Sequence, residues 1–358
     1  MTTALQTPLH ADHVALGGRM VEFAGYDLPV QYQGVIAESN AVRQGAGMFD
    51  VSHMARIKVT GGGAFDFLQW VTTNELNKLS DGHGQYSILP NAHGGAVDDI
   101  ILYRLGGEEF KVVLNAANHA KDVAHLRAED KWGVTIEDYT ESTAMIAVQG
   151  PDAVNALAGL CPDPGLVRDT PFFGTFDADF AGVPCFAARS GYTGEDGYEL
   201  QCQAGDASRL WRALLGAGVA ACGLGSRDTL RVEAGLPLYG HELTDEMSPL
   251  CAGLGWVVSK DKEFLGSSEF ARVREEGVPQ KLQGIRLEGK RLPMPGMTVL
   301  VGGSQAGTVS SGVFSPLLDC GIAFAFLGPS VAHETPCEVE FRGSMVPGTV
   351  VNKRFYKR

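Results

Sequence analysis

Ser267-Ser268-Glu269-Phe270-Ala271-Arg272-Val273-Arg274-Glu275-Glu276-Gly277-Val278-Pro279 decides the architecture of this chain. The run to Glu276 has helical composition, and Gly277-Val278-Pro279 stops it, because glycine caps a helix and proline cannot continue one. Beyond the stop the pattern changes. Residues 282–287, 297–301, 306–311, 320–327, 337–341 and 349–352 are short runs punctuated by Gly, Pro and Ser. That spacing predicts a small all-β barrel or sandwich of roughly 80 residues.

Upstream the reading is mixed. Arg56 to Thr60 alternates like a half-buried strand, and after Gly61-Gly62-Gly63 the run Ala64 to Val71 has helical spacing. Phe110 to Leu114 reads as a strand, Ala117 to Asp130 as a helix and Val134 to Glu137 as a strand. Ala144 to Val148, the turn Gln149-Gly150-Pro151 and Asp152 to Leu160 give strand, turn and helix. This is an α+β body, residues 1–278, followed by a β domain, residues 279–358.

At 358 residues the chain exceeds one ordinary hydrophobic core. Apolar residues at 44% and charged ones at 20% are ordinary for a globular protein, and no stretch is long and apolar enough for a bilayer. The first residues lack a basic and apolar leader, so the expected location is the cytoplasm, with no membrane partner. A net charge of −13 argues against a nucleic-acid surface, which needs a basic face. Seven scattered cysteines without a CxxC pair or zinc-ligand spacing read as free, mostly buried thiols, and no metal is expected.

The candidate chemistry lies in three loops. Gly94-Gly95-Ala96-Val97-Asp98-Asp99 leads into the strand Ile100 to Tyr103, where adjacent side chains face opposite sides. Only one of the two acids can therefore enter a pocket, which disfavours a pair on one metal. A single carboxylate there can accept a proton or stabilise a developing cation, or both acids can simply be solvated. Gly191-Tyr192-Thr193-Gly194-Glu195-Asp196-Gly197-Tyr198-Glu199 lets backbone approach a ligand closely. Tyr192 offers a flat face and Glu199 a carboxylate suited to an amino-pyrimidinone edge; the alternative is a hairpin turn with exposed acids.

Gly223-Leu224-Gly225-Ser226-Arg227-Asp228 lacks the third glycine of a dinucleotide fingerprint. Its glycines suit a turn, with Ser226 or Asp228 capping a helix and Arg227 near the first turn, where it can meet an anion or form a surface salt bridge. His53 in Asp50-Val51-Ser52-His53-Met54 reads as a hydrogen-bonded structural residue, since no GxSxG elbow accompanies it. His241-Glu242 lacks the second histidine of HExxH, and no P-loop is present.

Together with Thr7-Pro8-Leu9, Val21 through Tyr26, Met48 through Met54, Asn115-Ala116-Ala117-Asn118, Gln149-Gly150-Pro151, Gly223 through Gly240, Gly312 through Pro316 and Arg354-Phe355-Tyr356, these segments carry a resemblance. The chain resembles the T-protein family of the glycine cleavage system, tetrahydrofolate-dependent aminomethyltransferases. The resemblance implies three domains around a central folate cavity, two intertwined α+β subdomains within residues 1–278 and a C-terminal barrel. It implies transfer of the aminomethyl group on the dihydrolipoyl arm of a partner H-protein to tetrahydrofolate, giving methylene-tetrahydrofolate, ammonia and the reduced arm. By the same resemblance Asp99 is the catalytic carboxylate. Glu199 is the pterin-edge carboxylate, Tyr192, Tyr86 and Met54 surround the ring system, Arg227 contacts folate, Asn118 lies beside the pocket, and Tyr356 is a less secure match.

Ala55, Ser226, Met294 and Cys251 depart from the family pattern, the last two at a rim where a donor would dock. A related expectation is a folate-dependent demethylase of a methylated amine, sulfonium or aryl ether. A non-transferring member acting in iron-sulfur assembly would need a KGCYxGQE-like segment, which is absent. Docking of an acidic H-protein would call on Arg231, Arg291, Lys353, Lys357 or Arg358.

Overall fold

A computed structural model describes residues 4–358. The reading of the leader rests partly on residues 1–3, outside the described residues. No helix among the described residues is long and apolar enough to cross a membrane. The chain divides into two compact units, one of residues up to Ser87 and 100–227, the other of 88–99 and 228–358.

The first unit is built on sheets. Its six-stranded sheet has the order Thr175–Phe180, Val183–Ala188, Gly197–Gln203, Thr143–Gln149, Gly47–Asp50, Ala220–Ala221. Thr143–Gln149 is buried along its whole length and pairs antiparallel with Gly197–Gln203, placing Ala147 opposite Glu199. A strand buried on both faces reads as a continuous apolar run, which is why Ala144 to Val148 shows little alternation. One face is covered by the helices Ala153–Leu160 and Ala207–Gly216, where Leu157, Leu210, Trp211 and Leu214 are fully buried. Burying side chains of this size contributes roughly 1.5–3 kcal/mol each before entropy is counted.

A five-stranded sheet has the order His83–Pro90, Ala96–Gly106, Glu109–Leu114, Ala55–Thr60, Thr135–Asp138. A three-stranded sheet joins Leu5–Gln6, Tyr26–Gln31 and Arg19–Phe23. Asp98 and Asp99 lie inside the strand Ala96–Gly106, rather than before it, and the expected alternation holds: Asp98 is fully buried and Asp99 half-buried.

In the second unit the helix Ser267–Glu276 ends at Gly277, with φ +83°, where the sequence sets the stop. The barrel then closes in the order Lys281–Leu287, Cys320–Leu327, Ser304–Ser315, Thr298–Val301, Pro336–Phe341, Ser344–Val351. Ile285, Leu287, Val299, Val339 and Val350 fill its interior, and closure leaves no unpaired sheet edge. The expected α+β architecture with a C-terminal β-barrel is thus observed. All seven cysteines are free and buried.

Candidate functional site

The candidate site in the first unit starts from close packing at the glycine loop. A Cβ on Gly191 would lie 1.8 Å from Gln149 Oε1, and one on Gly197, at φ +153°, would lie 2.0 Å from Val148 O. Only glycine lets the loop press against the central strand. Gln149 holds it there, donating from Nε2 to Ser190 O at 2.9 Å and accepting at Oε1 from Thr193 Oγ1 at 2.8 Å. Arg43 Nη1 donates to Thr193 O and to Glu195 Oε1, both at 2.8 Å, and Arg189 grips Asp196 through two nitrogens. The hairpin with exposed acids is overturned, because the Glu195 side chain is 2% exposed and Glu199 is buried.

Glu199 is oriented from behind. Ser190 Oγ donates to Glu199 Oε2 at 2.7 Å, and Tyr103 OH lies 3.1 Å from Ser190 Oγ. With the serine proton committed to the carboxylate, the tyrosine is the donor to serine. Burial, reinforced by the Glu199 charge, pushes the Tyr103 hydroxyl well above its ordinary pKa and keeps it a donor. Neither the role of Tyr103 nor this relay is visible in the sequence, since Tyr103 and Ser190 stand far apart along the chain.

Arg227 sits over the Tyr192 ring, its guanidinium carbon 4.9 Å from the ring centroid. It occupies the first turn of the helix Leu224–Ala234, as expected. Its Nη1 is buried and makes no hydrogen bond, so the surface salt bridge is overturned. Burial lowers its pKa, opposed by the charges of Glu199 and Tyr192. The expected caps are corrected too. Because the helix begins at Leu224, Ser226 and Asp228 fall inside it. Glu38 takes the capping role from a distant part of the chain: its Oε2 accepts from Gly223 N at 2.8 Å and Ser226 Oγ at 3.3 Å.

The turn 51–54 follows the strand Gly47–Asp50 and is held from several sides. Asp50 Oδ2 accepts from Thr7 Oγ1 at 2.6 Å and lies 2.9 Å from His13 Nε2, and its Oδ1 accepts from Ser52 N at 2.9 Å. Burial alone would raise this carboxyl; the hydrogen bonds from His13, Ser52 and Thr7 outweigh it and hold it at about 2. The fully buried Arg56 donates from Nη1 to Ser52 O at 3.1 Å and Met54 O at 2.6 Å. His53 is not the hydrogen-bonded residue expected. It is 3% exposed, its Nδ1 has no partner, and burial pushes its pKa down to about 4.

The other expected residues are placed as follows. Met54 and Tyr86 are half-buried in the first unit, and Tyr86 O accepts from Asn74 Nδ2 at 2.9 Å. Asn118 is buried just before the helix His119–Glu129. Asp99 and Tyr356 belong to the second unit. There the turn 91–95 is fixed by Asn91, whose Nδ2 donates to Asp245 O at 2.8 Å and whose Oδ1 accepts from Gly95 N at 3.0 Å. A Cβ on Gly95 would lie 1.7 Å from Asp245 O, so the approach to Asp99 requires glycine. Tyr356 N donates to Glu233 O at 2.7 Å, tying down the C-terminal segment.

Two of the residues suggested for a docking rim are internal. Arg231 is 1% exposed, with Nη1 on Glu242 at 3.0 Å, Nε on Asp228 at 2.8 Å and Nη2 on Ser311 Oγ at 2.7 Å. Cys251 is buried, whereas Met294 is 49% exposed. Lys353 Nζ donates a hydrogen bond to Ala252 O at 2.6 Å, and burial lowers its pKa to about 8.

The chain resembles known proteins along nearly its whole length. The GCVT N-terminal domain matches residues 9–262, and the glycine cleavage T-protein C-terminal barrel domain matches 280–357. An aminomethyltransferase of Thermus thermophilus is 49% identical over 347 residues, covering 96% of this chain and 97% of that protein. One from Shouchella clausii is 43% identical, covering 100% and 99%. The crystal structure of glycine cleavage system aminomethyltransferase T from Bartonella henselae superposes with a TM-score of 0.92 at 32% identity, covering 99% of this chain and 98% of that one. On full-length similarity of sequence and fold, the chain belongs to the glycine cleavage T-protein family.

Proposed function

We propose that the protein transfers the aminomethyl carbon carried on the dihydrolipoyl arm of an H-protein to tetrahydrofolate, releasing ammonia. The observation that carries this reading is the first unit's set of Glu199, Tyr192 and Arg227, in which a buried guanidinium nitrogen stands without a partner. A buried unpaired donor costs about 1–3 kcal/mol, a cost that a bound ligand would offset. The set suits a flat heteroaromatic molecule. Glu199, its back oxygen fixed by Ser190, accepts from an amino-pyrimidinone edge, and Tyr192 supplies a ring face.

Tetrahydrofolate supplies the nucleophilic nitrogens that accept the carbon. Asp99 provides a half-buried carboxylate on a fixed strand, stabilising the cationic carbon as the amine departs and orienting the folate nitrogens toward it. The residues therefore orient and stabilise charge. Asp99→Asn is expected to keep tetrahydrofolate binding and lose about 100- to 1,000-fold in turnover with lipoylated H-protein as donor. Near-normal turnover in that variant removes the role from Asp99. Preference for a small methylated donor over H-protein would shift the reading to a demethylase.

A further inference from the structure

A groove of about 730 Å³ lies in the first unit, lined from both of its larger sheets and by none of Glu199, Tyr192 and Arg227. One wall carries the row Asp177, Phe186 and Gln201, directly paired on neighbouring strands and so presented on one face. The facing sheet carries the row Lys111, Lys58 and Glu137. Lys111 Nζ stands 3.7 Å from the centroid of the Phe186 ring, and Tyr103 meets the same ring edge-on at 5.6 Å, which fixes it between the two sheets. Glu109 pairs with Lys58, whereas among the described residues no hydrogen bond or ion pair takes the Lys111 ammonium. Gln201 is 5% exposed, and its Oε1 accepts from Tyr139 OH at 3.1 Å, while its Nε2 has no partner among the described residues. Neither nitrogen is sealed in protein, so both open on the groove that these residues line.

We propose that this groove binds a small zwitterion of the α-amino-acid class, its carboxylate taken by Lys111 Nζ and Gln201 Nε2 and its ammonium by Asp177. An ammonium and an amide nitrogen beside one ring are the donors a carboxylate accepts from, and the charged one strengthens the bond. Asp177, exposed at the other end of the row, acts on Lys111 by its charge without closing an ion pair. It stands two strand spacings from Gln201, roughly 9–10 Å, a span filled by a molecule with opposite charges at its ends and one hydrogen bond beyond each. The lining also selects by charge. Glu137, Asp177 and Asp179 repel a ligand that is only negative, and Lys58 and Lys111 repel one that is only positive. This site is separate from the folate reading, and neither depends on the other.

Glycine, the smallest zwitterion of the class, is the probe, with acetate and methylammonium as its separate halves, each titrated into the full chain by saturation-transfer NMR at constant ionic strength. Expected is saturable binding of glycine with Kd about 1 mM, and each half at least about tenfold weaker. Lys111→Met keeps an apolar stem on the Phe186 ring and removes the ammonium, and Asp177→Asn removes an exposed charge. Each should raise the glycine Kd about tenfold with the melting temperature little changed. Acetate binding as tightly as glycine overturns the proposal by making this a plain carboxylate site. Glycine affinity unaltered in both variants overturns it by placing the bound molecule elsewhere. Absence of saturable glycine binding up to about 50 mM also overturns it, leaving Lys111 a structural cation on an aromatic face in a groove that holds only water. Because Asp177 is exposed and the comparison of glycine with its halves needs no variant, instability of Lys111→Met does not remove the test.

Discussion

Arg227 and Arg231 stand one turn apart on the helix Leu224–Ala234, yet they are treated in opposite ways. Arg231 is saturated: Asp228, Glu242, Ser311 and Leu236 O take its donors. Arg227 rests over Tyr192 with Nη1 unpaired. Arg231 is buried and Arg227 half-buried with its Nη1 enclosed, so the presence of a cation alone separates nothing. What separates them is whether the fold itself completes the hydrogen bonding. A saturated guanidinium is a structural element, whereas the unsaturated nitrogen of Arg227 suits the folate-binding role proposed above.

The contrast breaks most readily at Arg231. Arg231→Met should cost about 3–5 kcal/mol in denaturant unfolding, because it leaves Glu242 buried without its partner. A loss below about 1 kcal/mol would mean that the saturated network is not structural. The next effect concerns acid. His53 is held at about 4 against 6.5 in an unfolded chain, so the unfolded state takes up the proton first as pH falls. Its contribution is whole above pH 6.5 and lost between 6.5 and 4, about 3 kcal/mol in all. His53→Phe should flatten the stability profile in that window, leaving the later loss as Asp50 is protonated near its value of about 2. An unchanged slope would remove His53 from the account. Smallest is Arg227→Met, expected to weaken tetrahydrofolate by about 2 kcal/mol, read by calorimetry, with unfolding stability unchanged or raised. Destabilisation like that of Arg231→Met would erase the distinction between the two arginines.

Much of the fold is legible in the sequence because its signals are local. The stop at Gly277, the barrel strands and the helix from Ala64 to Val71 each follow from neighbouring residues. The helix start near residue 224 is misread because its cap comes from Glu38, far outside any local window. The site divides along the same line. Glycine spacing marks the loop ahead of Glu199, but the Tyr103–Ser190 relay behind it depends on strands brought together only by folding. The reading of His53 fails for another reason, since a missing partner leaves no trace in residue type or spacing.

Glu38 collects the backbone N–H groups of Tyr32, Gln33 and Gly34 at one oxygen and that of Gly223 at the other. A single carboxylate therefore spans 185 positions of chain and completes the helix start on which Arg227 is mounted. During synthesis the helix Val35–Gln44, which carries Glu38, emerges long before the helix Leu224–Ala234 exists and must keep this carboxylate ready for it. The seat of Arg227 is finished only by closing this long loop, one of the slower kinds of contact to form. Loss of the first forty residues would remove no proposed ligand contact, yet it would leave that seat unbuilt.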